Sequence, residues 1–246
     1  MKYVISPAKT MKEFTYAYGD IVQMPRYPQA TLALYEYMRG LDLEAICNFC
    51  RISEKLGRKS MREYEEWAWD TMGNPAIFTY HGIQYQALKP ITFHAQELAY
   101  ANDHVRILSG LYGSLRPLDC VHPYRLEMQA PLTLGHFHNL YEYWKDRLES
   151  DLRDDCLVDL ASQEYSKVIS EAIKNSDQYV RIEFYVMKNG VPKAISTAIK
   201  AARGAMLHEI IRMQPKQKED LRQIKVDGFC FCSARSDEKR YVYIKE

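Results

Sequence analysis

The apolar positions of the chain fall into short runs separated by amphipathic stretches. Lys2–Ile5, Ala76–Tyr80, Val105–Ser109 and Cys156–Leu160 are brief apolar runs of the kind that fill a buried sheet. Tyr179–Met187 and Val191–Ser196 flank Lys188-Asn189-Gly190, where Asn-Gly supplies the positive φ of a tight hairpin turn. Phe229–Cys232 and Tyr241–Ile244 predict a final pair of strands. Helices are predicted over Pro28–Met38, Leu43–Cys50, Lys59–Trp69, Leu140–Leu152 and Thr197–Met213. The fourth is the clearest, with Leu140, Trp144, Leu148 and Leu152 at every fourth position on one face. Strands and helices interleave without strict alternation, which predicts an α/β chain of mixed α+β character, a mixed sheet surrounded by helices. No repeat, low-complexity tract or linker interrupts it, so residues 1–246 are expected to form one compact domain.

Composition narrows the classes. With 47% hydrophobic and 26% charged residues over 246 positions, the chain can bury roughly three quarters of its unfolded surface, which excludes disorder as its main theme. Its 33 basic and 32 acidic residues leave no net field to draw in nucleic acid or anionic membrane, so any anion site must come from local clustering. Clustering exists: Glu142 to Glu164 holds eight acidic and three basic residues, and Lys188 to Lys225 nine basic and three acidic. A solvated face is the plain alternative. No run approaches the ~18 apolar residues of a membrane span. The run Tyr3-Val4-Ile5 is far short of the roughly 7 to 15 residues of a secretory signal. A cytoplasmic location is expected, with the six cysteines reduced. Tyrosine, at 19 residues, suits core edges and stacking surfaces equally.

The candidate chemistry is cationic. On a helical wheel of Thr197–Met213, Lys200 and Arg203 fall inside the apolar arc of Ile199, Ala202, Met206, Leu207, Ile210 and Ile211. A charge facing a core costs several kcal/mol unless paired, so this helix is expected to line a polar cleft or meet buried carboxylates; snorkelling from the rim is the alternative. Gly204 in mid-helix implies close approach by another backbone or a ligand. Arg116 beside Pro117 and Arg125 after Pro123-Tyr124 sit on stiff backbone suited to clamping phosphate or carboxylate, unless they pair internally with Asp119 or Glu127. Ser6-x-x-Lys9 has the spacing of a nucleophile pair but lacks its companion motifs. Lys9 is better placed at the C-terminal end of a central strand, where open sheets bind ligands.

Leu41 to Tyr64 is laid out like a helix-hairpin-helix that presents hairpin amides and lysines to DNA phosphate, with Arg51 and Ser53 where glycines are usual. Between residues 51 and 62, Arg51, Lys55, Arg58, Lys59 and Arg62 against Glu54 make the chain locally positive. An ordinary solvated helix pair is the alternative. Metal ligation has little support: Cys47-x-x-Cys50 lacks a second pair, and His136-x-His138, Cys120-x-His122 and Cys230-x-Cys232 would have to be brought together by the fold.

Five segments in order carry a resemblance: Ile5–Thr10; Leu108–Gly113 with Leu115-Arg-Pro117 and Asp119; Pro123–Met128; Leu160-Ala-Ser162 with Glu164-Tyr165 and Lys167; and Ala202-Arg-Gly204 with Met206. Together they closely resemble the bacterial YaaA family of peroxide stress proteins. The resemblance implies a protein that binds duplex DNA, limits its oxidative damage and helps keep unincorporated iron low during hydrogen peroxide stress. It also implies a compact α/β fold with a deep basic cleft and a helix-hairpin-helix element, and it brings no established reaction. The expected DNA-contacting residues are Lys9, Arg51, Lys55, Arg116, Arg125, Lys167, Lys200 and Arg203. Double-stranded DNA, bent, mismatched or damaged, is the expected partner, with no membrane, cofactor, metal or obligate protein partner. His81, Asp159 and Ala201 depart from the family's commoner Lys, Asn and Lys, which makes the site less positive.

Two other functions compete. An enzyme acting on a small anionic compound, a DNA end or a damaged base would use the same cations to stabilise developing negative charge, with Tyr112, Tyr124 or Lys9 moving a proton. A pocket too narrow for a duplex favours it. Iron binding by the scattered Cys and His residues is the third.

Overall fold

The computed structural model describes residues 1–12, 22–67, 73–154 and 156–246. Eight strands form the main sheet. Across it the order is Cys230–Phe231, Arg240–Lys245, Tyr179–Lys188, Leu157–Asp159, Lys2–Ile5, Val105–Ser109 and Gly113–Leu115, and Val191–Lys193 pairs with Tyr179–Lys188. The five middle strands are parallel, whereas Cys230–Phe231, Gly113–Leu115 and Val191–Lys193 run antiparallel to their neighbours. Parallel strands are covered on both faces, and here Val105–Ser109 and Leu157–Asp159 are buried at every position. The sheet is therefore mixed and packed among helices, as the interleaved pattern predicts.

Most predicted elements stand within a residue or two of their expected bounds. Leu140–Leu152 is a helix capped by Asn139, whose side chain accepts the Glu142 N–H at 2.9 Å, and Leu140, Trp144, Leu148 and Leu152 are fully buried. Asn189 and Gly190 both have positive φ in the turn between Tyr179–Lys188 and Val191–Lys193. Three readings change. The strand expected over Val191–Ser196 ends at Lys193, and Ser196 opens the next helix. Ala76–Tyr80 is not a strand: Ala76–Thr79 forms one helical turn, with Thr79 Oγ1 donating to the Pro75 carbonyl, and the strand is Tyr80–His81. All four turn residues are buried, so this short run carries no period to separate helix from strand. The helix expected over Lys59–Trp69 spans Glu54–Glu66, and residues 68 and 69 lie outside the described set.

The tyrosines belong mainly to the core. Among the described residues twelve are buried, and several of their hydroxyls bond within the core, as in Tyr80–Tyr124–Ser109 at 2.8 and 2.7 Å. Beneath the sheet edge, Asp151 binds Arg26 at 2.8 Å and Arg106 at 3.2 Å and accepts the Ser114 hydroxyl at 2.6 Å. No helix among the described residues is long and apolar enough to cross a membrane.

The topology creates a crevice. From Lys2–Ile5 the chain next joins the main sheet on one side, at Val105–Ser109; from the adjacent Leu157–Asp159 it joins on the other, at Tyr179–Lys188. Connections that diverge from neighbouring parallel strands leave a gap beyond their carboxyl ends, the usual ligand position in open α/β sheets.

Candidate functional site

A cavity of about 500 Å³ occupies that gap. Two segments that follow the diverging strands, Ser6–Thr10 and Ser162–Tyr165, line it. Ser162 N–H donates to Ser6 Oγ at 2.8 Å and Ser6 Oγ donates to Ser162 Oγ at 3.1 Å, which stitches the segments together. Gln84 Nε2 and Tyr85 OH donate to the Ser6 carbonyl at 2.8 and 3.1 Å, so helix Ile83–Leu88 is fastened to the first segment.

Helix Ser196–Met213 forms a further wall. Ala202, Met206, Leu207, Ile210 and Ile211 are buried, while Lys200 and Arg203 line the cavity. Gly204 is where this helix meets Ile83–Leu88, and a β-carbon there would lie 1.9 Å from the Gln84 carbonyl oxygen. The two charges on the apolar arc thus face a cleft, and the mid-helix glycine permits backbone contact.

Lys9, Arg125, Lys200 and Arg203 converge on the cavity with His81. Lys9 Nζ and Arg125 Nη2 lie 3.2 and 2.8 Å from Glu127 Oε1, so the Arg125–Glu127 pairing weighed from the sequence coexists with the cleft position. Lys9 therefore serves a buried carboxylate, and Ser6 is engaged with Ser162, away from any nucleophile pairing. Burial lowers the Arg203 pKa to about 10, and the Arg181 charge adds to this, yet Arg203 stays cationic at neutral pH. Burial raises Glu164, opposed by a backbone hydrogen bond from Gln129 and the charge of Lys9. Tyr124 is pushed up to about 12 by burial, and its hydroxyl is engaged by Ser109 and Tyr80. Tyr112 is buried away from the lining, where its hydroxyl accepts the His122 N–H at 3.0 Å.

The remaining expected contacts lie elsewhere. Arg116 is outside the cavity lining, held by Asp119 at 2.7 Å and by the Met24 carbonyl at 3.1 Å. The arginine was expected in the cleft; a fully buried carboxylate three residues on captures it instead. Lys167 is exposed just after helix Gln163–Ser166, which supplies Glu164 and Tyr165 to the cavity. Arg51 and Lys55 are exposed on the helix pair Leu43–Cys50 and Glu54–Glu66. Arg51 adopts the left-handed conformation at φ 52°, where the usual hairpin has glycine, and Ile52 N–H bonds the Cys47 carbonyl at 3.0 Å to close the first helix. Arg58 and Lys59 pair with Glu54 and Glu63, whereas Arg51, Lys55 and Arg62 make no ion pair with a described residue. This pair of helices docks on the cavity wall: Cys50 Sγ and Tyr64 OH both donate to the Arg125 carbonyl, at 3.3 and 3.2 Å. A small groove beside Lys59 and Leu56 reaches Lys9 and Arg125.

Glu127, named from the sequence only as a partner for a nearby arginine, is buried and lines the cavity, and Glu164 projects into it from a four-residue helical turn; nothing in their spacing marks either as a cavity residue. Among the described residues, no three His, Cys, Asp or Glu side chains are grouped to hold a metal ion.

A mixed α/β sheet with a polar, cation-rich cavity at its diverging strands, flanked by a docked helix pair that exposes Arg51 and Lys55, defines the class. Residues 1–235 match the family model described as peroxide stress protein YaaA. The chain is 38% identical over 248 residues to a UPF0246 protein of Clostridioides difficile, and 33% identical over 247 residues to one of Ligilactobacillus salivarius, with all of each chain covered. A UPF0246 protein of Janthinobacterium is 34% identical over 253 residues, covering 99% of this chain and 98% of the relative. The chain belongs to the YaaA family of peroxide stress proteins.

Proposed function

We propose that the protein binds duplex DNA in the cytoplasm during hydrogen peroxide stress, limits oxidative damage to it, and helps keep unincorporated iron low. The family likeness supports the peroxide stress role. The observation that carries DNA binding is the docking of the helix pair on the Arg125 carbonyl, because it makes the hairpin cations and the cavity-mouth cations neighbours. Lys55 and Lys59 are one helical turn apart, and Lys59 borders the groove that leads to Lys9 and Arg125. In this reading Arg51 and Lys55 grip one stretch of backbone while Lys9 and Lys200 meet another, with Arg125, Arg203 and Lys167 adding positive potential. Arg116 contributes only from the periphery.

Contacts of this kind release counterions and carry little sequence information. If Arg51, Lys55, Lys9 and Lys200 each neutralise one phosphate, log affinity falls against log salt with a slope of about −3.6. The test is binding of labelled intact and mismatched duplexes at three salt concentrations, by wild type and by Lys55→Glu/Lys200→Glu, both exposed positions. Salt-sensitive binding that the variant loses is expected. Absence of duplex binding at low salt, or an unchanged variant, refutes the proposal.

The cavity size favours a second reading alongside the first. A space of about 500 Å³ admits a small anionic compound, a DNA end or a single damaged base, but no duplex. An enzyme acting on such a substrate would use Arg203 and Lys200 to bind its negative charge.

A further inference from the structure

Among the described residues, seven buried side-chain polar atoms have no hydrogen-bond partner within the protein, and five of them belong to residues lining this one cavity. They are Arg125 Nε, both carboxylate oxygens of Glu127, Glu164 Oε1 and Arg203 Nε. Buried polar groups are nearly always bonded, so such a concentration marks groups shaped for something that enters. The ionic contacts of Lys9 and Arg125 offset the charge of Glu127 without giving its oxygens aligned hydrogen bonds.

Setting aside Glu127 Oε1, which the two cations contact, the other four atoms specify a ligand. Carboxylate oxygens accept, so Glu127 Oε2 and Glu164 Oε1 call for N–H donors on one part of the ligand, and Arg125 Nε calls for an acceptor beside them. Arg203 and Lys200, on the separate helix Ser196–Met213, call for an anion. Among nucleobases, the pairing edge of guanine presents one carbonyl acceptor next to a ring N–H and an amino group. Thymine offers a single N–H between two carbonyls, which would face the carboxylates unfavourably. Adenine and cytosine have the amino group but a bare ring nitrogen beside it.

We infer that the cavity takes a single unstacked guanine nucleotide, its pairing edge on Arg125, Glu127 and Glu164 and its phosphate on Lys200 and Arg203. The volume falls within the roughly 300 to 1,000 Å³ of small-ligand sites. Free guanine nucleotide and an extruded guanine in DNA share this chemistry. The DNA form rests on the proposed duplex binding, since the mouth cations would hold the flanking backbone while the base leaves the stack, at least cost where it is already unpaired.

The experiment uses the full chain and two ligand sets. Calorimetry with dGMP, dAMP, dCMP and dTMP reads the free nucleotide. Fluorescence anisotropy with a fully paired duplex and with duplexes carrying one unpaired guanine or one unpaired thymine reads the DNA form. Guanine is expected to bind at least tenfold tighter than thymine in one or both sets. Glu164→Gln should reduce that ratio at least threefold, and Arg203→Met should weaken dGMP while leaving free guanosine, which has no phosphate, unaffected. Preference in the duplex set alone identifies DNA as the source, and preference in the mononucleotide set alone identifies the free nucleotide. No guanine preference in either set overturns the inference, and the proposed function still stands if the paired duplex binds. Preference for dGMP without duplex binding overturns the proposed function and leaves the cavity assignment intact. Because each arm reads a ratio within one protein, a partly destabilised variant remains informative, and thermal melting of each variant identifies any that does not fold.

Discussion

Gly204→Ala puts the helix contact behind the cavity to a quantitative test. An ideal β-carbon at position 204 lies 1.9 Å from the Gln84 carbonyl oxygen, 2.9 Å from its carbon and 3.0 Å from Leu88 N. Real β-carbons do not come within 3.0 Å of such atoms, so the backbones must part by at least 3.0 − 1.9 = 1.1 Å. The obstacle is main chain, so no side-chain rotation relieves it. Overpacking of this kind costs typically 1–3 kcal/mol, and a radial gap of about 1 Å forfeits up to half of each dispersion contact between the separated helices. Against this, alanine gains up to about 1 kcal/mol in helix propensity. Taking the upper end of the strain leaves a net loss of about 2 kcal/mol, which for a chain of this size lowers Tm by about 4–8 °C. Thermal melting followed by circular dichroism reads it, with Ala205→Gly as the comparison. That neighbouring change carries the propensity penalty of about 1 kcal/mol and the loss of a partly buried methyl, with no backbone clash. Gln84 also lines the cavity and holds the Ser6 carbonyl, so ligand binding should weaken along with stability. A Gly204→Ala protein that melts at or above the wild-type temperature would refute the close backbone contact.

Two further predictions concern groups away from the cavity. Asp151→Ala leaves Arg106, 5% exposed, without its carboxylate, and should cost about 3–5 kcal/mol in urea unfolding; a loss below about 1 kcal/mol would show that Arg106 finds its compensation elsewhere. Burial pushes the Cys50 thiol up to about 12, so at neutral pH it keeps its proton, and native protein treated with iodoacetamide should be alkylated at exposed Cys230 while Cys50 stays unmodified. The raised value also carries a stability term that is complete below the ordinary thiol pKa of 9.0 and is lost as pH rises towards about 12. Alkylation of Cys50 at the rate of Cys230 would contradict its buried position.

The family was legible because its motifs are local: Ser-Pro-Ala-Lys, Pro-Tyr-Arg-Leu-Glu-Met and Ala-Arg-Gly keep their order whatever the fold does with them. Periodicity likewise determined helix Leu140–Leu152, whose apolar stripe repeats for three turns, and Asn189-Gly190 determined its hairpin. Two charges inside an apolar arc identified Lys200 and Arg203 as cleft residues before any partner was known, since burying them unpaired would be too costly. What the sequence could not supply was which distant groups meet. Helix Ile83–Leu88 is too short to show a period, yet it explains Gly204. Arg116 and Arg125 look alike along the chain, and only the positions of Asp119 and Glu127 send one to a structural ion pair and the other to the cavity. The donor and acceptor pattern that specifies a ligand arises from residues 125, 127, 164 and 203, which three separate elements and a topological divergence of strands bring together. Local pattern fixes which residues form each element and which of them resist burial; the convergence of their unpaired polar atoms is a property of the packed chain alone.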